Sequence, residues 1–249
     1  MFDAKREKEK IIDFIRKYYK DNNLGGVIIG ISGGKDSGVV AGLFSKALGP
    51  ENVIGVMLPC HSKEEDKNDA LLVAQKYGFE MLEIDLDSVY DSFNKQIDNL
   101  GSFSTEELKN SDINIKPRLR MTSLYYLAPL MSKVKKKTYI VAGTGNKCEK
   151  YVGYFTKGGD GVSDIDVLSD LTVSEVIKIG EELGVPAKVL YKTPNDGLSG
   201  ISDEEKLGVT YKEIEQYLNG EEISQESREK IICLHKNSLH KFHIPTYQK

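Results

Sequence analysis

The chain has 249 residues, of which 39% are hydrophobic and 29% charged, and 34 basic against 38 acidic residues leave a net charge of −4. A chain of this length can bury enough surface to fold without a disulfide or metal staple, and its balanced charge argues against the basic surface of a nucleic-acid binder. Cys60, Cys148 and Cys233 stand far apart with no CxxC spacing, which argues against a disulfide scaffold and a thiolate zinc site.

The opening stretch MFDAKREKEKIIDFIRKYY mixes charge with apolar residues and has no unbroken apolar core of the signal-peptide kind. Its residues Ile11, Ile12, Phe14, Ile15 and Tyr18 share a helical face, which Asn22, Asn23 and Gly25-Gly26 bring to an end. The run VIIGI at 27–31 is the longest apolar stretch and is only strand length, so no membrane-spanning helix is expected. A soluble cytoplasmic protein without membrane contact is the expectation. After SGGKDS comes GVVAGLFSKALG, helical in period and closed by Gly49-Pro50, and then a second strand, VIGVML at 53–58. Strand, loop, helix and strand in this order make a parallel unit. A helix around Asp69–Tyr77, a strand at Glu80–Ile84 and, later, the strand TYIVAG at 138–143 continue the alternation. The pattern predicts an α/β fold with a doubly wound, mostly parallel sheet flanked by helices.

Asn94 to Asp112 is polar and unpatterned and reads as a long loop. Arg118 to Lys133 reads as a helix kinked at Pro129, with Lys133, Lys135, Lys136 and Lys137 suiting the negative end of its dipole. Downstream, Thr172 with Glu175, Ser202 with Glu205 and Thr210 with Glu213 each have capping-box spacing, and Gly184 with Pro186 closes the first of these helices. The C-terminal third is therefore expected to be helical. No repeat, linker or shift of composition divides the chain, so residues 1–249 are read as a single domain.

The chemistry concentrates in Ser32-Gly33-Gly34-Lys35-Asp36-Ser37, between the first strand and a helix. Glycines let backbone N–H groups approach an anion, the helix N-terminus adds partial positive charge, and Ser32 and Ser37 supply hydroxyls, so the loop suits phosphate. It is neither a Walker A loop, whose first glycine would fall at Ile29, nor GxGxxG, since Gly30 and Gly33 are wrongly spaced. A second strand-end segment, Gly143-Thr144-Gly145-Asn146-Lys147-Cys148-Glu149, leads through YVGYFTKGGDG to Ser163-Asp164. Glu149 offers an oxygen that can join Asp36 on Mg²⁺, an ion that takes one or two carboxylates together with phosphate oxygens. Cys148 has no histidine near it in sequence and reads as a packed residue, and His235, His240 and His243 lack partners at metal-site spacing.

SGG-x-DS after the first strand resembles the pyrophosphate loop of the N-type ATP pyrophosphatases, which cleave ATP between its α and β phosphates. The order SGGKDS, GTGNKCE, YFTKGGDGVSDI and LGVTYKEIEQYL is similar to the ammonia-dependent NAD synthetase family from Gly30 to the C-terminus. That resemblance implies a Rossmann-like adenine-nucleotide alpha hydrolase fold. It implies ATP-dependent amidation of deamido-NAD by ammonia through an adenylated intermediate, giving NAD, AMP and pyrophosphate. Carried onto this sequence, it places Gly30, Ile31, Ser32, Gly33, Gly34, Lys35, Asp36 and Ser37 at ATP, together with Thr144 and Asn195. Asp36 and Glu149 become the catalytic and Mg²⁺-holding pair, while Arg118, Lys157, Asp164, His240 and Lys241 recognise deamido-NAD. Arg118 and Lys157 suit a ligand with a diphosphate and a nicotinate carboxylate. The resemblance further implies a homodimer.

Two departures stand out. Where the family commonly has lysine in a threonine-lysine-threonine helix start, this chain reads Thr172-Val173-Ser174, and where many members read proline-threonine-alanine-aspartate-leucine, it reads Pro194-Asn195-Asp196-Gly197-Leu198. The alternatives are a tRNA-modifying ATP pyrophosphatase, which the net charge and cysteine spacing disfavour, and a nucleotide-binding regulatory homologue that has lost turnover.

Overall fold

The structure, a computed structural model, describes residues 2–192 and 202–248. Among them five parallel strands form one sheet in the order β3-β2-β1-β4-β5. These are β1 (Gly26–Gly30), β2 (Val53–Met57), β3 (Glu80–Glu83), β4 (Tyr139–Gly143) and the two-residue β5 (Ile165–Asp166). The chain runs outward in one direction from β1 through β2 to β3, then returns to pair β4 with the other side of β1, as in Val27↔Val53 and Val27↔Ile140. The strand order therefore reverses beside β1, the place where open α/β sheets bind ligands.

Side chains alternate across the sheet. Val27, Ile29, Val53, Met57 and Ala142 face α1 (Ala4–Asp21), α2 (Lys35–Leu48), α3 (Glu64–Tyr77), α7 (Val173–Leu183) and α8 (Ala187–Leu190). Ile28, Ile54, Val56, Tyr139 and Val141 face α4 (Asp87–Asp98) and α5 (Thr105–Lys135). A further apolar cluster joins α6 (Lys147–Val152) to α9 (Asp203–Leu207), α10 (Tyr211–Leu218) and α11 (Gln225–Ser238) through Cys148, Val152, Leu207, Ile214 and Ile231. The helical C-terminal third thus packs against the element that follows β4. The boxes at Thr172, Ser202 and Thr210 all form, each N-cap residue exchanging hydrogen bonds with the glutamate three positions on.

The expectation of a long loop over 94–112 is overturned. α4 ends at Asp98, and α5 begins at Thr105 under a capping box in which Ser104 and Glu107 satisfy each other's backbone N–H. The sequence pattern that marks three later helices is present here too. Asp112 ties the pair together, accepting from Tyr90 Oη at 2.6 Å and from Asn94 Nδ2 at 3.4 Å. α5 also extends well before Arg118 and carries Pro117 as well as Pro129. Each proline removes one backbone hydrogen bond, and Leu127, Ala128 and Met131, buried on the sheet, offset the loss. α3 begins at Glu64, earlier than its apolar period indicates, because Glu64, Glu65 and Asp66 fill its first turn and suit the positive end of the dipole. β5 was illegible at two residues; it is held by Asp164 N donating to Val141 O at 2.9 Å.

Candidate active site

The phosphate-loop residues lie where β1 ends and α2 begins. Ser37 Oγ accepts from Ser32 N at 3.3 Å and donates to Gly34 O at 3.1 Å, and Gly34 N donates to Ser32 Oγ at 3.3 Å. These bonds curl the loop over the first turn of α2. Gly33 sits at φ +78, and a methyl group there would run into the carbonyl oxygen of Asp66 on α3. Glycine is required on both counts.

Asp36 belongs to the first turn of α2, and Glu149 to the first turn of α6, which leaves the end of β4 just after Thr144. The two helix starts are joined by Asn146, a residue that the sequence reading passed over although its spacing to Glu149 is that of a capping box. Asn146 is fully buried; its Nδ2 donates to Asp36 Oδ1 at 3.2 Å, its N to Glu149 Oε2 at 3.1 Å, and its Oδ1 accepts from Glu149 N at 3.1 Å. Burial of its carboxyl and the adjacent Asp36 charge push Glu149 well above the usual carboxylate range, against the opposing pull of Lys35. Lys35 is itself buried and meets Asp36 Oδ2 at 2.9 Å. A pair of enclosed carboxylates with this unfavourable charge is a fitting seat for a divalent cation, and Asp36 and Glu149 are the residues that would hold Mg²⁺. Asp203, buried, adds its charge from α9 and accepts from Tyr154 Oη at 2.9 Å. Cys148 is wholly buried and burial pushes its thiol up to about 11, so it is a packed residue and not a nucleophile.

The residues assigned to the second substrate are gathered from distant parts of one chain. Arg118 on α5 donates through Nε and Nη2 to Lys157 O, both at 3.3 Å. Lys157 Nζ donates to His240 O at 2.6 Å, and Lys241 Nζ donates to Gly153 O at 2.7 Å and Phe155 O at 2.6 Å. Arg118, Lys157 and His240 are exposed. Asp164 accepts from Val141 N at 2.8 Å and from Tyr125 Oη at 3.1 Å, so its carboxylate buttresses β4 against α5. Asp160 was missed: it is exposed, accepts from Thr156 N at 2.9 Å, and lies in the field of Lys241 and Arg120. Asn195, and the departure around it, fall outside the described residues. Val173 packs into the apolar cluster of α6, α10 and α11, while the flanking hydroxyls of Thr172 and Ser174 both donate to Glu215.

Residues 7–245 match the model of the NAD synthase family. The chain belongs to the NAD synthase family. A relative from Carboxydothermus hydrogenoformans named NH(3)-dependent NAD(+) synthetase is 40% identical over 95% of this chain and 94% of its own. Another from Archaeoglobus fulgidus with the same name is 36% identical over 95% and 94%. Among solved structures, an NMN synthetase from Francisella tularensis superposes with a TM-score of 0.89 at 34% identity, covering 100% of this chain and 99% of that one. The NH3-dependent NAD synthetase of Campylobacter jejuni gives 0.77 at 27% identity, with both chains covered in full. Family membership agrees with the loop after β1 and the adenine-nucleotide alpha hydrolase fold that the resemblance implied. No helix among the described residues is long and apolar enough to cross a membrane.

Proposed function

We propose that the chain catalyses the ATP-dependent amidation of deamido-NAD, the observation carrying this reading being the joining of the phosphate loop to the Asp36–Glu149 pair through Asn146. A nicotinate carboxylate oxygen attacks the α phosphorus of ATP. The bond from that phosphorus to the bridging oxygen breaks, and the loop from Gly30 to Ser37 retains the departing pyrophosphate through its N–H groups and hydroxyls. Ammonia then attacks the acyl carbon, AMP leaves with the electrons of the carbon–oxygen bond, and a proton is lost from nitrogen to give the amide of NAD. Mg²⁺ held by Asp36 and Glu149 would offset triphosphate charge. Thr144, at the end of β4, lines the nucleotide side, and Asn195 is assigned there on resemblance. Arg118, Lys157 and His240-Lys241 orient the pyridine nucleotide, with Asp164 fixing the strand beneath them. Positioning and electrostatics carry the reaction.

AMP and pyrophosphate formed from ATP only when deamido-NAD and ammonium are both present would support this reading, and uncoupled or absent turnover would refute it. Replacing Asp36 or Glu149 with alanine should abolish pyrophosphate release while leaving the melting transition in place, a cost of several kcal/mol to the transition state; near-normal turnover in both would remove them from the site. The likeness to an NMN synthetase gives a second reading, in which the acceptor is nicotinate mononucleotide. The two acceptors share the nicotinate carboxylate and ribose phosphate, so the ratio of kcat/KM for dinucleotide and mononucleotide decides between them. The proposal further holds that the nitrogen donor is free ammonia, that residues 1–249 act as one domain, that the protein is cytoplasmic, and that it works as a homodimer.

A further inference from the structure

Lys35 occupies the first position of α2 and is only 6% exposed. Its ammonium stands 2.9 Å from Asp36 Oδ2 and 5.8 Å from the centre of the Tyr211 ring, and the charges of Glu149 and Asp203 act on it as well. Three acidic groups thus converge on one enclosed cation. Asp36 already accepts at both oxygens, from Asn146 Nδ2 at Oδ1 and from Lys35 Nζ at Oδ2, while Glu149 commits Oε2 to its own helix cap. Asn146 is fixed in the capping box of α6 and has no room to yield. Lys35 ends a flexible four-carbon stem and can. An ion reaching for Asp36 would meet an ammonium already seated there, and two cations side by side in an enclosed site repel far more strongly than in water.

We infer that Lys35 is the resident counter-cation of the Asp36–Glu149 pair, giving up Asp36 to a divalent ion only as nucleotide binds, when the ammonium passes to the phosphates. The inference rests on the metal assignment made above. It also gives the triphosphate an enclosed lysine beside the loop where Val173 supplies none.

The test compares wild type with Lys35→Gln and Lys35→Met, first by calorimetric titration with Mn²⁺ in the absence of nucleotide, then by melting in EDTA and in Mg²⁺. Wild type should bind free Mn²⁺ weakly and melt at the same temperature in both buffers. The variants, relieved of the competing charge, should bind Mn²⁺ about ten-fold more tightly or better. They should also gain melting temperature from Mg²⁺, because an ion that binds only the folded state stabilises it. Their KM for ATP should rise while KM for the pyridine nucleotide holds. Equal Mn²⁺ affinity across the three proteins overturns the inference. A variant folded only in Mg²⁺ is the same result in stronger form, and one unfolded in both buffers overturns it, since an ion then fails to replace the ammonium. Adding Asp36→Asn to Lys35→Gln should cancel the gain. A gain that survives this change refutes the metal assignment itself, whereas loss of the gain with no AMP formed from any acceptor would refute only the amidation reading.

Discussion

Beneath the turn at Gly33, Asp69 on α3 is fully enclosed and meets two ammonium groups, Lys188 at 2.7 Å and Lys192 at 2.6 Å, the latter shared with Asp66 at 2.8 Å. Burial alone would raise its carboxyl, but the two lysines hold it below the ordinary carboxylate range. A folded value below the unfolded one contributes stability that is present above the unfolded value and is lost as pH falls through the folded one. Asp69→Asn should therefore cost about 3–5 kcal/mol at neutral pH, as breaking a buried ion pair does. The urea midpoints of variant and wild type should converge in acid below the carboxylate range, and a gap that persists there would show the loss to be one of packing and not of charge. Gly33→Ala, pressed against Asp66 O in the left-handed region, should lower stability by more than about 1 kcal/mol and raise KM for ATP; unchanged KM would mean that the turn does not hold the phosphates. Residues of this kind divide sharply in how they can be read. The loop from Ser32 to Ser37 is legible because its chemistry is local. Arg118 and Lys157 are 39 positions apart and Lys157 and His240 are 83 apart, so their meeting is invisible to any local pattern and was reached only through resemblance.

Helices and strands were legible where period or caps spoke clearly, as at β1, β2, β4 and the three boxed helices of the C-terminal third. The failure over 94–112 has a physical source: the first turns of α5 bury no described side chain fully, so they carry little hydrophobic period, and only the cap announces the helix. Ser104 Oγ accepts from Glu107 N at 3.3 Å, and Glu107 Oε2 accepts from Ser104 N at 2.7 Å, which holds Glu107 below the usual carboxylate range. Ser104→Ala should cost about 1 kcal/mol, the ordinary worth of an N-cap. The loss should be seen by hydrogen exchange as faster opening of the first turn of α5, with the sheet-facing turn around Leu127 unchanged. Equal exchange in both proteins would show that packing against α4, through Asp112, and not the cap, starts the helix.

At the scale of the whole molecule, the solvent side of α5 carries Tyr126, Leu130 and Val134, exposed by 72%, 45% and 62% and spaced four residues apart, so that they form one stripe along the helix. Contiguous exposed apolar surface of this kind marks interaction sites. A stripe on a single helix can pack against its own copy about a two-fold axis, the commonest symmetric arrangement of soluble oligomers, and this is the face on which the homodimer proposed above would close. A stable pair should bury at least about 1,600 Å² in total. Leu130→Glu places a charge at the centre of the seam and should turn a sedimenting dimer into a monomer, and the melting temperature should then cease to depend on protein concentration, as linkage between folding and association requires. Arg118, Lys157 and His240 meet within one protomer, so, on the role proposed for them above, the monomer should keep the part of pyridine-nucleotide affinity that they supply. Wild type sedimenting as a fully active monomer at assay concentration would overturn the dimer, and a Leu130→Glu protein that remains dimeric would move the seam away from α5.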